Sequence, residues 1–314
     1  MSPVATSPQV ADPIERRYLL LVYNPVLESQ GGATLIDAHG WNDPDELVAA
    51  YAADVAQASG GVALYSQADR IEIDGYPLSE DGFRYTDETF SACLADHTRA
   101  LCHAPGQEAG FGYAIDYPAM LRDNGICERF NAGEFDEVWL FGAPFMGFWE
   151  ANQAGDKAIS TNGPIVTDSE CEGRLNIMGF SYERGVAEML EDLGHRAEGT
   201  LTQQLPDNAA AFRFFTQYDQ QNPGDAQCGT VHFPPNGTSD YDWGRTDSVT
   251  SGCIDWLTYP DLTGATETVD CSAWSCEARG YLMWWLGHLP HADGTARDGG
   301  SANWWSYILD RGDA

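Results

Sequence analysis

The stretch "RYLLLVYNPVL", residues 17–27, constrains the fold most. It is an almost unbroken apolar run closed by Asn-Pro and "SQGG", the pattern of a buried strand that opens a sheet. "NDPDELVAAYAADVAQASGG" (42–61) then reads as a helix, with an Asn or Asp cap, Pro and acids in the first turn, and Gly-Gly at the end. "VALYSQADRIEIDGYP" (62–77) returns to strand character in two short pieces, and the alternation in "RIEID" gives the second a wet face. Helices are expected over "TDETFSACLADHTRALC" (86–102) and "DYPAMLRDNGICERFNAG" (116–133). An apolar strand is expected within "EFDEVWLFGAPFMGFWE" (134–150), and "RLNIMGF" (174–180) is a further strand that runs into another helix. The expectation is an α+β fold: an α/β-like body over residues 17–200, a flexible leader over 1–16, and a C-terminal portion over 201–314 packed on the body. That last portion is irregular and rich in aromatic residues, Gly, Pro and Asp, with two Trp pairs at 284–285 and 304–305.

Charge narrows the function classes. Forty-eight acids against 16 bases leave a net charge of -32, and the only lysine is Lys157. Such a surface repels nucleic acid and anionic lipid. No run of 18 apolar residues is present, so no membrane span is expected. Eight cysteines without a CxxC pair favour disulfides over a zinc ribbon, with Cys93/Cys102 and Cys271/Cys276 close enough to close small loops. The expected setting is extracellular or periplasmic.

The sequence that most invites chemistry is "ERGVAEMLEDLGHRAE" (183–198). On a helix Glu188, Glu191 and His195 fall within about 60° of one another, while Val186, Met189, Leu190 and Leu193 form the apolar side. The stripe reads either as a metal site or as a solvated acidic face with Glu191 and His195 as an i,i+4 pair. His232 in "TVHFPPN" and His288 in "WWLGHLPH" are the downstream residues that could complete a metal site, though each alone also reads as a structural histidine.

The element order, with "EDLGH" on a helix after a Gly-rich apolar strand, resembles the zincin metallopeptidases over residues 17–198. That resemblance implies zinc held by Glu191 and His195 with His232 or His288, and Glu188 or Asp192 activating water. The sequence departs from H-E-x-x-H: Glu191 stands where the first His is expected, and Asp192 is one methylene shorter than the Glu base. The chain also resembles exported bacterial proteins to which no activity attaches, through "EVWLFGAPFMGFWE", "DYDWG", "DWLTYP" and "WWLGHLP".

Two further constellations remain open. Asp240, Asp242 and Asp247 in "SDYDWGRTDSV", followed by Asp255, offer the clustered oxygens that calcium takes, without an EF-hand pattern. Glu150, at the end of "FMGFWE", together with the many Trp and Tyr, permits glycoside chemistry or glycan binding, which requires facing carboxyls or exposed aromatic platforms. The leading expectation is an exported, metal-assisted hydrolase of an extracellular polymer, peptide or polysaccharide. The alternative is a metal-free glycoside hydrolase or a non-catalytic carbohydrate-binding protein.

Overall fold

Strand β1 (Ile14–Tyr23) carries Leu19, Leu20, Leu21 and Val22 with no exposed surface, so it is covered on both faces, as the opening run requires. The structure is a computed structural model that describes residues 9–103, 114–206 and 209–312. After β1 come β2 (Val26–Leu27), β3 (Ala33–Thr34), α1 (Leu35–His39), α2 (Pro44–Ala58) and β4 (Ala63–Ile73). Next are α3 (Asp87–Ala95), α4 (Tyr117–Asp123), α5 (Ile126–Asn131), β5 (Glu137–Gly142), β6 (Ala151–Ala154), β7 (Leu175–Ser181) and α6 (Val186–Gln204). The main sheet has the order β4-β1-β5-β7-β6. β1, β5 and β7 run parallel, with Tyr18 opposite Glu137 and Val138 opposite Ile177, and β6 is an antiparallel edge paired to β7. The fold is α+β.

Several boundaries differ from expectation for local reasons. Within residues 62–77 the chain forms one strand, β4, rather than two pieces. The helix expected over 86–102 ends at Ala95, and the Cys93–Cys102 disulfide takes the chain back on itself. The helix expected over 116–133 is two helices broken at Asn124 and Gly125. Of the expected leader, residues 1–8 lie outside the described residues. The rest is ordered: Ala11 N–H donates to His291 O at 3.0 Å, and Asp293 N–H donates to Gln9 O at 2.8 Å. The first strand begins at Ile14, three residues before the expected start.

The chain divides into two compact units: residues 16–50, 66–192 and 311–312, and residues 9–15, 51–65 and 193–310. The first holds the main sheet. Gly179 in β7 is required there by a close approach, since a Cβ would stand 2.3 Å from Trp149 O and 2.8 Å from the Phe148 Cβ. That is how the 143–150 segment lies down on the end of the sheet.

The second unit adds α7 (Ala210–Phe215), β8 (Val249–Ser251), β9 (Glu267–Val269), α8 (Ala278–Gly287), β10 (His291–Thr295), β11 (Ser301–Asn303) and α9 (Trp305–Ile308). Its core is aromatic: Trp256, Trp285, Trp304 and Trp305 are at most 1% exposed, and Phe215 lies 5.3–5.7 Å from three of their rings. Of the Trp pairs seen in the sequence, Trp285, Trp304 and Trp305 are core and Trp284 is half-buried. The disulfides are Cys93–Cys102, Cys127–Cys171, Cys228–Cys253 and Cys271–Cys276, with no free cysteine among the described residues. Nor, among those residues, is any helix long and apolar enough to cross a membrane. The four disulfides fit an extracellular protein.

Candidate functional site

Helix α6 is unbroken from Val186 to Gln204 and presents Glu191 and His195 one turn apart. His232 is brought up to it by the segment after Cys228. Gly194 permits that approach: a Cβ there would meet Val231 Cγ2 at 2.6 Å, so any larger residue would push the His232 segment away. His195 Nε2 and His232 Nε2 stand 3.1 Å apart, with the rings edge to face. Behind each ring is a carboxylate: His195 Nδ1 bonds to Glu198 Oε2 at 3.2 Å, and His232 Nδ1 stands 3.1 Å from Asp240 Oδ1. Glu198 Oε1 also accepts from Val231 N–H at 3.0 Å. One carboxylate thus fixes both the helical histidine and the segment carrying the other.

The chemistry follows from the tautomers. A carboxylate accepts, so each Nδ1 carries the proton and the two Nε2 lone pairs face each other. Lone pairs at 3.1 Å repel unless a cation lies between them, either a proton or a metal ion. Two nitrogens each about 2.0–2.1 Å from a tetrahedral zinc lie about 3.3–3.4 Å apart, close to the observed distance. Glu191, His195 and His232 offer one ligand atom each, all within 4.8 Å of one another and all half-buried. Metal-binding histidines are characteristically oriented by such carboxylates on the far nitrogen. The residues present therefore fit a zinc-type ion.

The other expected metal residues are placed differently. His288 is not in the cluster. It is buried at the end of α8, with Nδ1 against Trp284 O at 2.7 Å and its ring 4.4 Å from that of Trp284. Asp240 orients His232, and Asp242 Oδ2 accepts from Thr238 N–H and faces Arg245 at 3.7 Å. Arg245 also holds Asp247 at 2.6 Å, so a guanidinium pairs with two of the aspartates of this segment. All ten Trp are buried or half-buried, which leaves a sugar-stacking platform without an exposed indole.

His288 yields a pH prediction. Burial is the first cause that lowers its pKa from the ordinary 6.5 to about 4, partly offset by the Trp284 carbonyl. Because the folded value is depressed, its contribution to stability is complete above pH 6.5 and is lost as pH falls towards 4. The linkage is worth about 3 kcal/mol at pH 4. Denaturant titrations with EDTA at pH 7.5 and pH 4 are expected to show that His288→Gln removes about that much acid sensitivity. Identical pH dependence in the two proteins would refute the assignment.

The three expected catalytic carboxylates, Glu150, Glu188 and Asp192, line one cavity of about 500 Å³ in the sheet unit. Its wall comes from the 143–150 segment, from Gly179 to Ser181 of β7, and from the start of α6. Glu188 Oε2 accepts from Gly185 N–H at 3.0 Å, and its other oxygen lies 3.7 Å from Arg184 Nε. It serves as the reach-back member of a helix cap. Glu150 Oε2 accepts from Asn162 Nδ2 at 2.7 Å. Asp192 is 7% exposed. Burial first, then Glu150 and Glu191, hold its carboxyl well above the usual range, with Arg184 pulling the other way.

Glu198 is the residue that sequence reasoning missed. Its i,i+3 spacing from His195 in "GHRAE" was the available signal. Compared with known proteins, the chain matches no family model, no curated protein and no solved structure.

Proposed function

We propose that the protein is a metal-assisted hydrolase of an extracellular polymer, with a peptide as the favoured substrate and Glu191, His195 and His232 as the metal ligands. The reading is carried by the 3.1 Å approach of His195 Nε2 to His232 Nε2 with a carboxylate behind each ring. A bound zinc ion supplies a Lewis acid and lowers the pKa of a coordinated water.

The chain's own residues do the rest. Glu191, His195 and His232 would hold such an ion with three protein ligands, the count of catalytic rather than structural zinc sites. The side chains of His195 and His232 are 15% and 27% exposed, so the site is reachable from solvent. Glu198 and Asp240 hold the ring protons on Nδ1 and keep both Nε2 atoms available. Glu188 is committed to the helix start, whereas Asp192, the residue after Glu191, lines the cavity of the sheet unit. The expected zincin-like order places the helix directly after the cleft strand. In support, α6 follows β7, and Gly179, Phe180 and Ser181 of β7 line the cavity.

The test is hydrolysis of a quenched fluorescent peptide library by protein purified without chelator. Activity is expected to vanish on dialysis against EDTA, to return with zinc, and to be absent in His195→Ala. Cleavage indifferent to chelator and to His195→Ala, or no cleavage of any peptide, would contradict the reading.

A further inference from the structure

The cavity of the sheet unit has a charge pattern that the metal reading leaves unexplained. Four acidic side chains (Glu150, Glu183, Glu188 and Asp192) line it against two guanidinium groups, Arg99 and Arg184. Acidic lining alone means little in a chain of net charge -32. Asp192 is what distinguishes the place. Glu188 has Arg184 and Gly185, and Glu150 has Asn162, whereas the carboxylate of Asp192 has no hydrogen bond or ion pair among the described residues. It is nevertheless more than nine-tenths buried, and its residue lines the cavity.

A buried carboxylate without a donor is costly unless a ligand supplies one. The remaining wall suits the stem of such a ligand. Met146 and Met189 are 3% and 2% exposed, and Phe148 completes an apolar side of the same cavity. A volume of about 500 Å³ lies within the ordinary range of small-molecule pockets.

We propose that this cavity binds a cationic side chain, a guanidinium or ammonium on an apolar stem, with Asp192 receiving its charge and Met146, Phe148 and Met189 holding its methylenes. Asp192 is thereby a recognition carboxylate rather than the base. The inference names the substrate class of the hydrolase and rests on that reading only for the word substrate.

The experiment is calorimetric titration with acetyl-arginine methylamide and with its neutral isostere acetyl-citrulline methylamide. The wild-type protein is expected to bind the arginine probe about tenfold or more tightly than the citrulline probe, the usual advantage of a charge-assisted pair. In Asp192→Asn, with the fold checked by near-ultraviolet circular dichroism, the two probes are expected to bind within about twofold of each other. Equal binding by the wild type, no binding of either probe, or a preference that survives Asp192→Asn would overturn the proposal. The same pair is titrated into His232→Ala, which lacks a metal ligand. A preference retained there with no metal bound to the wild type leaves the cavity assignment standing and the hydrolase reading failed. Stoichiometric metal with no preference does the reverse.

Discussion

Replacing His232 by alanine is expected to reduce bound transition metal from about one equivalent to below about a tenth, with little change in the stability of the metal-free protein. The residue sits in an irregular segment with its side chain 27% exposed, so its loss opens no large core cavity. What is lost is one of two nitrogens facing each other at 3.1 Å. A change at Glu198, which touches the far nitrogen of His195, separates a metal site from a mere histidine contact. In Glu198→Gln the side-chain oxygen can accept from either Val231 N–H or His195 Nδ1, and the amide end can accept from neither. Metal affinity is expected to fall about 10–100-fold with occupancy restored at high zinc. Asp240→Asn is expected to cost less, since the Asp240 side chain is 54% exposed. Competition titrations against a zinc chelator read all three. An affinity unchanged by Glu198→Gln would remove Glu198 from the site.

The second large effect is expected from the Cys228–Cys253 disulfide, which closes a loop of sequence separation 25 and lies four residues before His232. Both cysteines are fully buried. The unfolded chain of a Cys228→Ala/Cys253→Ala variant gains the freedom that the link removed, worth about 3 kcal/mol. For a chain of this size the thermal midpoint is expected to drop by roughly 4–5 °C. The effect extends to the site, because Cys228 N–H donates to Phe215 O at 2.9 Å and Tyr281 Oη donates to Thr230 O at 2.6 Å. Once these anchors are loosened, the His232 segment has to be ordered by the metal, and zinc affinity falls with stability. Scanning calorimetry with and without zinc checks both. A midpoint within about 2 °C of the wild type would show that the link constrains little.

Much of the architecture was legible, and the reasons are local. The apolar run at 17–27, the capped helix after it and the glycine-punctuated strands carry their periodicity in a few consecutive residues. The stripe of Glu191 and His195 was legible because helical spacing places them one turn apart. Distant neighbours were not. Nothing near His232 says that it meets His195 and His288 does not, because that choice is made by Gly194 against Val231 and by a disulfide whose pairing spacing alone does not fix. The aspartates at 240, 242 and 247 had the composition of a calcium loop, but Arg245 lies among them in sequence and its guanidinium takes two of them. Glu188 fell on the expected face, yet helix starts recruit a glutamate at that position to reach back to the backbone, and this one does.

The central claim is that two histidines face each other because an ion belongs between them. Metal content of the full chain, purified without chelator and measured by inductively coupled plasma mass spectrometry, tests it most directly. The account predicts about one equivalent of zinc or a similar transition metal per chain, absent from both His195→Ala and His232→Ala. A wild-type protein that carries no stoichiometric metal, and that takes up none from zinc-containing buffer, would leave a shared proton between the rings and would contradict the account.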